Sequence, residues 1–188
     1  MLEKLFTSKN RVKLLEFFLI ENGSGGIREV SKKKDVSVSV VSRELNNFVD
    51  LGILRKEREV YFLNENCNIC SELRGILVKT DSVVFPIQAA LPKKNVDFAF
   101  IFGSFAKGGY GPESDIDLMV VGNVSLDEVI KKVSKEEKEI GRNVNPVVWT
   151  VENLKKEKDS AFVKDIFTKG ILMVKGDENE LREIVERK

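Results

Sequence analysis

The chain has 188 residues, of which 42% are hydrophobic, so it is long enough to bury one large core or two small ones. Its 31 basic and 30 acidic residues leave a net charge of +1, and this balance gives no global field that would attract nucleic acid or an anionic membrane. No apolar run approaches the ~20 residues of a membrane-spanning helix, and the amino-terminal stretch lacks the apolar core of a signal peptide. We therefore expect a cytoplasmic protein with no membrane partner.

The sequence contains two cysteines, Cys67 and Cys70, and no histidine. A single Cys-x-x-Cys pair cannot complete a tetrahedral zinc site within one chain, so we expect two reduced thiols with an ordinary structural role. The lack of histidine also excludes a Ser-His-Asp triad and any zinc site built on imidazole.

Three helices and a hairpin are predicted within residues 1–65. Ser8 can cap a helix over residues 8–21, a short helix covers residues 27–34, and Ser37 begins a third helix. The apolar stripe of the first helix is Val12, Leu15, Phe18 and Leu19. That of the third helix is Val41, Leu45 and Phe48. Residues 53–63 read as two short strands around a charged tip. Three helices followed by a hairpin is the order of a winged helix-turn-helix domain.

The third helix and the start of the hairpin resemble the recognition helix and wing of ArsR- and MarR-like regulators, through residues 37–45 and Leu51-Gly52-Ile53-Leu54. The resemblance implies that the outer face of this helix reads the major groove of DNA and that the hairpin contacts phosphates. Arg43 is the best candidate for a guanine edge. The residues assigned to DNA are Ser39, Ser42, Arg43, Asn46, Asn47, Arg55, Lys56 and Arg58. Acidic residues interleave with them, so a domain used for dimerisation or protein contact stays an alternative.

Residues 66–94 predict a helical connector. Leu73, Ile76 and Leu77 recur at helical spacing, and Pro86 is expected to kink or break the helix. Such a connector could carry a dimer interface. We expect a homodimer, because one helix-turn-helix covers only half of a DNA site.

Two apolar runs, Phe98–Phe102 and Leu118–Val121, enclose a polar, glycine-rich segment and predict two buried strands of one sheet. Asp115 and Asp117 stand at the head of the second strand, where alternation directs both carboxylates to the same face. Adjacent carboxylates repel each other, and a hard cation such as Mg²⁺ relieves that repulsion. Gly103 allows the backbone to approach a ligand closely, and the amides after it could hold a phosphate.

This stretch resembles the signature of the nucleotidyltransferase superfamily that includes DNA polymerase beta and kanamycin nucleotidyltransferase, and especially its small minimal members. The matching segments are Gly103-Ser104, Lys107-Gly108 and Ser114-Asp115-Ile116-Asp117-Leu118. The resemblance implies that Asp115 and Asp117 are the metal-binding and catalytic residues. It also implies a bound nucleoside triphosphate, held by Gly103, Ser104, Lys107 and Ser114. Two solvated aspartates beside a glycine loop are the alternative.

Strands and helices alternate after Gly122. A capping box at Ser125–Glu128 predicts a helix to about Ile140, and Asn143–Trp149 predicts a third strand beside the strand of Asp117. The buried stripe of that helix is predicted as Leu126, Val129, Ile130, Val133 and Ile140. The fold class is therefore α+β with two domains, a winged helix-turn-helix and a nucleotidyltransferase-like small mixed sheet with flanking helices. The predicted boundaries are 1–65, 66–94 for the connector, and 95–188.

The third strand carries an unusual residue for this resemblance. Active nucleotidyltransferases of this type usually add a third carboxylate there, which completes a two-metal cage and serves as the base. The matching position is Asn145, which offers a carbonyl oxygen but no charge and cannot take a proton at neutral pH. Glu152 or Glu113 could restore metal catalysis only within ~5 Å of the aspartate pair.

Nearly the full chain resembles prokaryotic fusions of an ArsR-like winged helix with a nucleotidyltransferase domain, with the specific motifs concentrated between Gly103 and Asp117. The resemblance implies a DNA-binding transcriptional regulator whose second domain binds a nucleotide with Mg²⁺. One alternative is an active minimal nucleotidyltransferase that transfers a nucleotidyl group to a protein or RNA hydroxyl. A second alternative is a scaffold in which both sites are relics.

Overall fold

The computed structural model describes residues 2–108 and 114–186, apart from the side chains of Asp81 and Glu139. The chain divides into two compact units, Met1–Ser82 and Val83–Lys188. Residues of the predicted connector thus fall in both units, and the predicted domain boundaries stay a prediction. Within the described residues, each helix is too short or too polar to cross a membrane.

The first unit is helical apart from one hairpin. Its elements are α1 (Leu2–Leu5), α2 (Lys9–Leu19), α3 (Ile27–Lys34), α4 (Val38–Asp50), β1 (Leu54–Glu57), β2 (Val60–Leu63) and α5 (Cys70–Leu77), followed by a π-helical turn at Val78–Ser82. The predicted cap of α2 is confirmed, because Ser8 Oγ accepts a hydrogen bond from the backbone N–H of Arg11 at 3.2 Å. The predicted apolar stripes of α2 and α4 are buried. This order of elements does not by itself establish a winged helix-turn-helix, which also stays a prediction.

One buried charge in α4 was not foreseen. The Glu44 side chain is 1% exposed, and its carboxylate accepts from Arg11 Nε at 2.8 Å and from Arg43 Nη2 at 3.3 Å. Burial raises the pKa of Glu44, but the hydrogen bonds and charges of the two arginines outweigh it and leave the pKa below its usual range. This ion pair therefore ties α2 to α4 inside the first unit.

Two expectations for residues 66–94 are wrong. Cys67 and Cys70 form a disulfide rather than two reduced thiols. Pro86 does not break a helix, since it lies in the first turn of α6 (Val84–Ala90), where its missing N–H costs no helical hydrogen bond. The irregular backbone comes earlier, at Thr80, with φ −128° and ψ −117°.

The second unit is built on a four-stranded mixed sheet in the order β5-β4-β3-β6. The strands are β3 (Val96–Phe102), β4 (Ile116–Gly122), β5 (Val144–Trp149) and β6 (Leu172–Lys175). β3 is antiparallel to β4 and β6, whereas β4 and β5 run parallel. The predicted pairing of the third strand with the Asp117 strand is therefore confirmed. The helices are α6, α7 (Gly103–Ala106), α8 (Leu126–Val133), α9 (Glu137–Ile140), α10 (Val151–Glu157), α11 (Ala161–Lys169) and α12 (Glu178–Glu186).

One face of this sheet forms a core with α10, α11 and α12. The buried residues of that core are Phe98, Phe100, Met119, Val121, Leu154, Val163, Ile166 and Leu181. Because alternate strand residues share a face, Phe102 and Asp117 project on the same side as this core, at one end of it.

The predicted long helix after Ser125 is interrupted. Ser125 caps it as predicted, accepting from the backbone N–H of Glu128 at 3.2 Å, but α8 ends at Val133 and α9 begins only at Glu137. Leu126 and Ile130, predicted to be buried, are each 44% exposed. The predicted burial of Val129, Val133 and Ile140 is confirmed, whereas the predicted burial of Leu126 and Ile130 is wrong.

Candidate functional site

Asp117 lies on the inner strand β4, near the start of that strand and beside the residue at which β3 ends. Its register partners are Phe102 on β3 and Asn145 on β5. Asp115 precedes it by two residues, just before β4 begins, so the structure brings together the aspartate pair and Asn145.

Two asparagine amides from β5 and its entry face the Asp115 carboxylate. Asn143 Nδ2 donates to Oδ1 at 3.2 Å, and Asn145 Nδ2 donates to Oδ2 at 3.4 Å. Asn143 was not singled out from the sequence. The signal was present, because Asn143-x-Asn145 repeats the spacing of Asp115-x-Asp117 on the neighbouring parallel strand.

The Asp117 carboxylate is poorly compensated. Burial raises its pKa above the usual range, the negative charge of Asp115 raises it further, and a hydrogen bond from Asn145 lowers it only in part. A carboxylate in this state favours a nearby cation, since the cation stabilises the charged form.

Gly103 is placed directly against this carboxylate. Its φ is +75°, and a Cβ at this position would lie 2.5 Å from Asp117 Oδ2. The left-handed backbone favours glycine, and any larger residue here would displace the Asp117 carboxylate. The close approach that Gly103 allows is thus to Asp117, and the next residue, Ser104, is exposed in the single turn of α7. Lys107 is exposed at the end of that turn.

A buried arginine links two segments of the site. Arg142 is 7% exposed. Its Nη1 donates to the backbone carbonyl of Ser114 at 3.1 Å, and its guanidinium lies 5.5 Å from the centre of the Phe105 ring. It therefore connects α7 to the residue just before Asp115. Sequence reasoning missed it, because nothing local distinguishes a buried arginine from a surface one.

The site opens into a cavity of about 380 Å³ beside Asp115. Its lining residues are Ser114, Asp115, Glu137, Lys138, Gly141, Arg142 and Asn143. The cavity is mostly polar in its lining side chains and carries both signs of charge, which suits a polar ligand rather than an apolar one.

A model of the family described as "Polymerase beta, Nucleotidyltransferase" matches residues 86–179, which is half of the 188-residue chain. The chain belongs to this nucleotidyltransferase family. A protein of Methanocaldococcus jannaschii (strain ATCC 43067 / DSM 2661 / JAL-1 / JCM 10045 / NBRC 100440), which carries the provisional name protein adenylyltransferase, is 36% identical over 70 residues. That alignment covers 37% of this chain and 70% of the relative.

A solved structure described as "Crystal structure of the toxin-antitoxin with AMP-PNP" also aligns with this chain. Its TM-score is 0.38 with 17% identity, over 53% of this chain and 75% of that chain. A similarity of this size says nothing about function.

Nucleotidyltransferases of this family usually use a divalent metal, and the side chains present here fit one in part. Asp115 and Asp117 supply the hard oxygen ligands that Mg²⁺ prefers, and Mg²⁺ commonly takes one or two carboxylates plus substrate phosphates. Asn145 turns its amide N–H toward Asp115. Among the described residues there is no group of three acidic, cysteine or histidine side chains that could hold a metal, so Glu152 does not supply a third acid. Glu113 lies outside the described residues.

The residues assigned to DNA lie on α4 and the hairpin of the first unit. Ser39, Arg43 and Asn46 are exposed, whereas Ser42 and Asn47 are half-buried. Several of them have partners in the protein: Asn46 Oδ1 accepts from the Tyr61 hydroxyl at 3.0 Å, Arg55 pairs with Glu57, and Lys56 pairs with Glu59. Arg58 is exposed at the hairpin tip, with φ at 55°.

Proposed function

We propose that the second unit binds a nucleoside triphosphate together with Mg²⁺. The observation that carries the proposal is the cluster of Asp115, Asp117 and Asn145 at the end of the sheet where β4 and β5 begin. Within this cluster, Asp117 lies directly against Gly103. In this proposal the two aspartates face the metal, and Gly103, Ser104, Lys107 and Ser114 face the phosphates. When bound, Mg²⁺ would neutralise charge on the phosphate oxygens and polarise them.

We propose further that nucleotide binding, rather than rapid transfer, is the main property of this site. Transfer requires the acceptor hydroxyl to lose its proton as its oxygen attacks the α-phosphorus and pyrophosphate leaves. Asn145 cannot take that proton at neutral pH, and both amides near Asp115 donate hydrogen bonds to it. In this proposal Asp117 faces the cation, so its carboxylate is not free to take that proton.

The finer proposal is a DNA-binding transcriptional regulator in which nucleotide occupancy changes the DNA affinity of the first unit. Support comes from three exposed polar residues on one face of α4, Ser39, Arg43 and Asn46, and from the hairpin that follows α4. Arg43 has a 65% exposed side chain and one contact with Glu44, so its remaining donors could reach a base edge. We also propose a homodimer, because one recognition helix covers only a half-site.

An active transferase is the second candidate, and the named activity of the archaeal relative favours it. In this version a nucleotidyl group passes to a protein hydroxyl, the bond from the hydroxyl oxygen to the α-phosphorus forms, and the bond to pyrophosphate breaks. With asparagine at position 145, the released proton passes to water rather than to a side chain. We expect such a reaction to be slow, because a positioned base usually contributes about 10²–10⁴-fold.

Calorimetric titration of ATP, GTP, CTP and UTP, with Mg²⁺ or with EDTA, tests nucleotide binding. We expect binding that needs Mg²⁺ and is lost in an Asp115→Asn/Asp117→Asn double variant, with pyrophosphate release measured on the same samples. Absence of binding for all four nucleotides would overturn the proposal. Fast pyrophosphate release by the wild type with a protein acceptor would favour the transferase instead.

DNA binding is tested by selection from a random duplex library, followed by titration with the selected sequence. We expect Arg43→Gln to lower the affinity for the selected sequence by about 5- to 150-fold, as for the loss of one good base contact. Lys131→Gln, at an exposed position of α8, makes the same change of charge in the second unit and should have no effect. A library that yields no enriched sequence would remove DNA from the proposal.

A further inference from the structure

An aromatic cluster lies on the same sheet face as Asp117. Phe102 is the register partner of Asp117, and Trp149 lies four residues along β5 from Asn145, so alternation places all of these residues on one face. Phe162 of α11 contacts both rings, edge-on to Phe102 and tilted to Trp149, with ring centres 5.8 Å apart in each pair. The cluster therefore begins beside the carboxylates and runs along the sheet away from them.

Phe162 is the exposed member of this cluster. It is 44% exposed, whereas Phe102 and Trp149 are half-buried beneath it. The rings of Phe102 and Trp149 pack against Phe162, and the rest of its side chain is open to solvent on the sheet face that carries Asp117. A planar aromatic ligand would bury this surface.

We propose that Phe162 is the stacking surface for the nucleobase of the nucleotide bound at Asp115 and Asp117. The proposal rests on the proposed function, because the aspartate pair and Gly103 fix where the phosphates and metal lie. Every base has a π-face, and stacking on an aromatic side chain is tolerant of base identity. The site would therefore select nucleotides over simple polyphosphates, and it would favour purines, which have the larger face.

Phe162 would act by binding the base and not by taking part in bond making. Its loss should weaken the binding of nucleotides and leave the binding of the phosphate chain alone unchanged. Trp149 is the only tryptophan of the chain and touches Phe162, so its fluorescence reports on a base at this position.

The test compares Mg-ATP with Mg-tripolyphosphate, which carries phosphates but no base, on the full chain. We expect Phe162→Ala to lose about 5- to 150-fold in affinity for Mg-ATP and none for Mg-tripolyphosphate. Phe162→Tyr keeps the ring and should bind as the wild type does. Phe162→Leu keeps an apolar side chain at this exposed position but removes the ring, and it should behave like Phe162→Ala. Mg-ATP, but not Mg-tripolyphosphate, should change the fluorescence of Trp149.

The outcomes separate the two proposals. If the wild type binds neither ligand, the proposed function is overturned, and stacking falls with it. If the wild type binds Mg-ATP and Phe162→Ala binds it equally well, stacking alone is overturned. Equal losses for both ligands, or wild-type affinity in Phe162→Leu, would also overturn stacking, because the ring would then have no specific role.

Discussion

Replacing Asn145 by aspartate tests how the candidate site handles charge. Asn145 Nδ2 lies 3.4 Å from Asp115 Oδ2, so Asn145→Asp exchanges a hydrogen-bond donor for a third negative charge at that distance. Two like charges 4 Å apart repel by about 1 kcal/mol in water and by about 4 kcal/mol near a protein surface. The lost hydrogen bond adds about 1 kcal/mol. Because Asp115 is exposed, we expect the lower end, about 2 kcal/mol, in the absence of metal.

A divalent cation should reverse this loss. In EDTA the melting temperature of the second unit should fall by about 8–16 °C, taking ~4–8 °C per kcal/mol for a domain of this size. With Mg²⁺ in excess the variant should recover, since three carboxylates bind the cation more tightly than two and binding stabilises the folded state. Differential scanning fluorimetry on the intrinsic tryptophan fluorescence measures both conditions.

Asn145→Ala is the matched control, because it removes the same hydrogen bond without adding charge. It should lose about 1 kcal/mol in either condition and gain nothing from Mg²⁺ beyond the wild type. Equal melting temperatures of Asn145→Asp and Asn145→Ala in EDTA, with no extra recovery in Mg²⁺, would refute the placement of residue 145 beside the carboxylate pair.

Three further changes have defined outcomes. Asp117→Asn should stabilise the second unit at pH 7: because the folded pKa of Asp117 is raised, the wild type loses stability as pH rises through it. The gain in unfolding free energy should vanish in acid, below the ordinary aspartate pKa. Urea titration followed by tryptophan fluorescence measures it at each pH, and a gain that does not change with pH would mean that Asp117 is solvated. Glu44→Gln should cost about 1–3 kcal/mol at pH 7. Because the pKa of Glu44 is lowered, this loss of unfolding free energy should shrink as pH falls through that pKa. Hydrogen exchange should therefore be faster in α2 and α4 of the variant at neutral pH and not in acid. Arg142→Met should weaken Mg-ATP binding several-fold, because the segment at Ser114 loses its hydrogen bond to the guanidinium. Unchanged amide exchange around Ser114 in the variant would contradict this role of Arg142.

Local sequence patterns were enough to place most elements of the fold. Ser8 and Ser125 cap helices as predicted, since a side-chain oxygen and the first turn of a helix are close in sequence. The pairing of β5 with the strand of Asp117 also followed from alternation and order. The mistakes at Pro86 and after Val133 concern where a helix ends, which depends on packing as well as on residue type.

The sequence by itself determined the candidate pair of carboxylates and the absence of a third acid at position 145, because residue type and period-2 spacing suffice for both. Only the tertiary structure decided which groups from distant segments meet them. Gly103 against Asp117, Asn143 and Asn145 on Asp115, and Arg142 across to Ser114 are contacts between elements well separated in the chain. The same holds for the buried charge of Glu44, which is stabilised by Arg11 from another helix as well as by its neighbour Arg43. Contacts of this kind depend on sheet register and helix packing, and a local pattern carries no information about either.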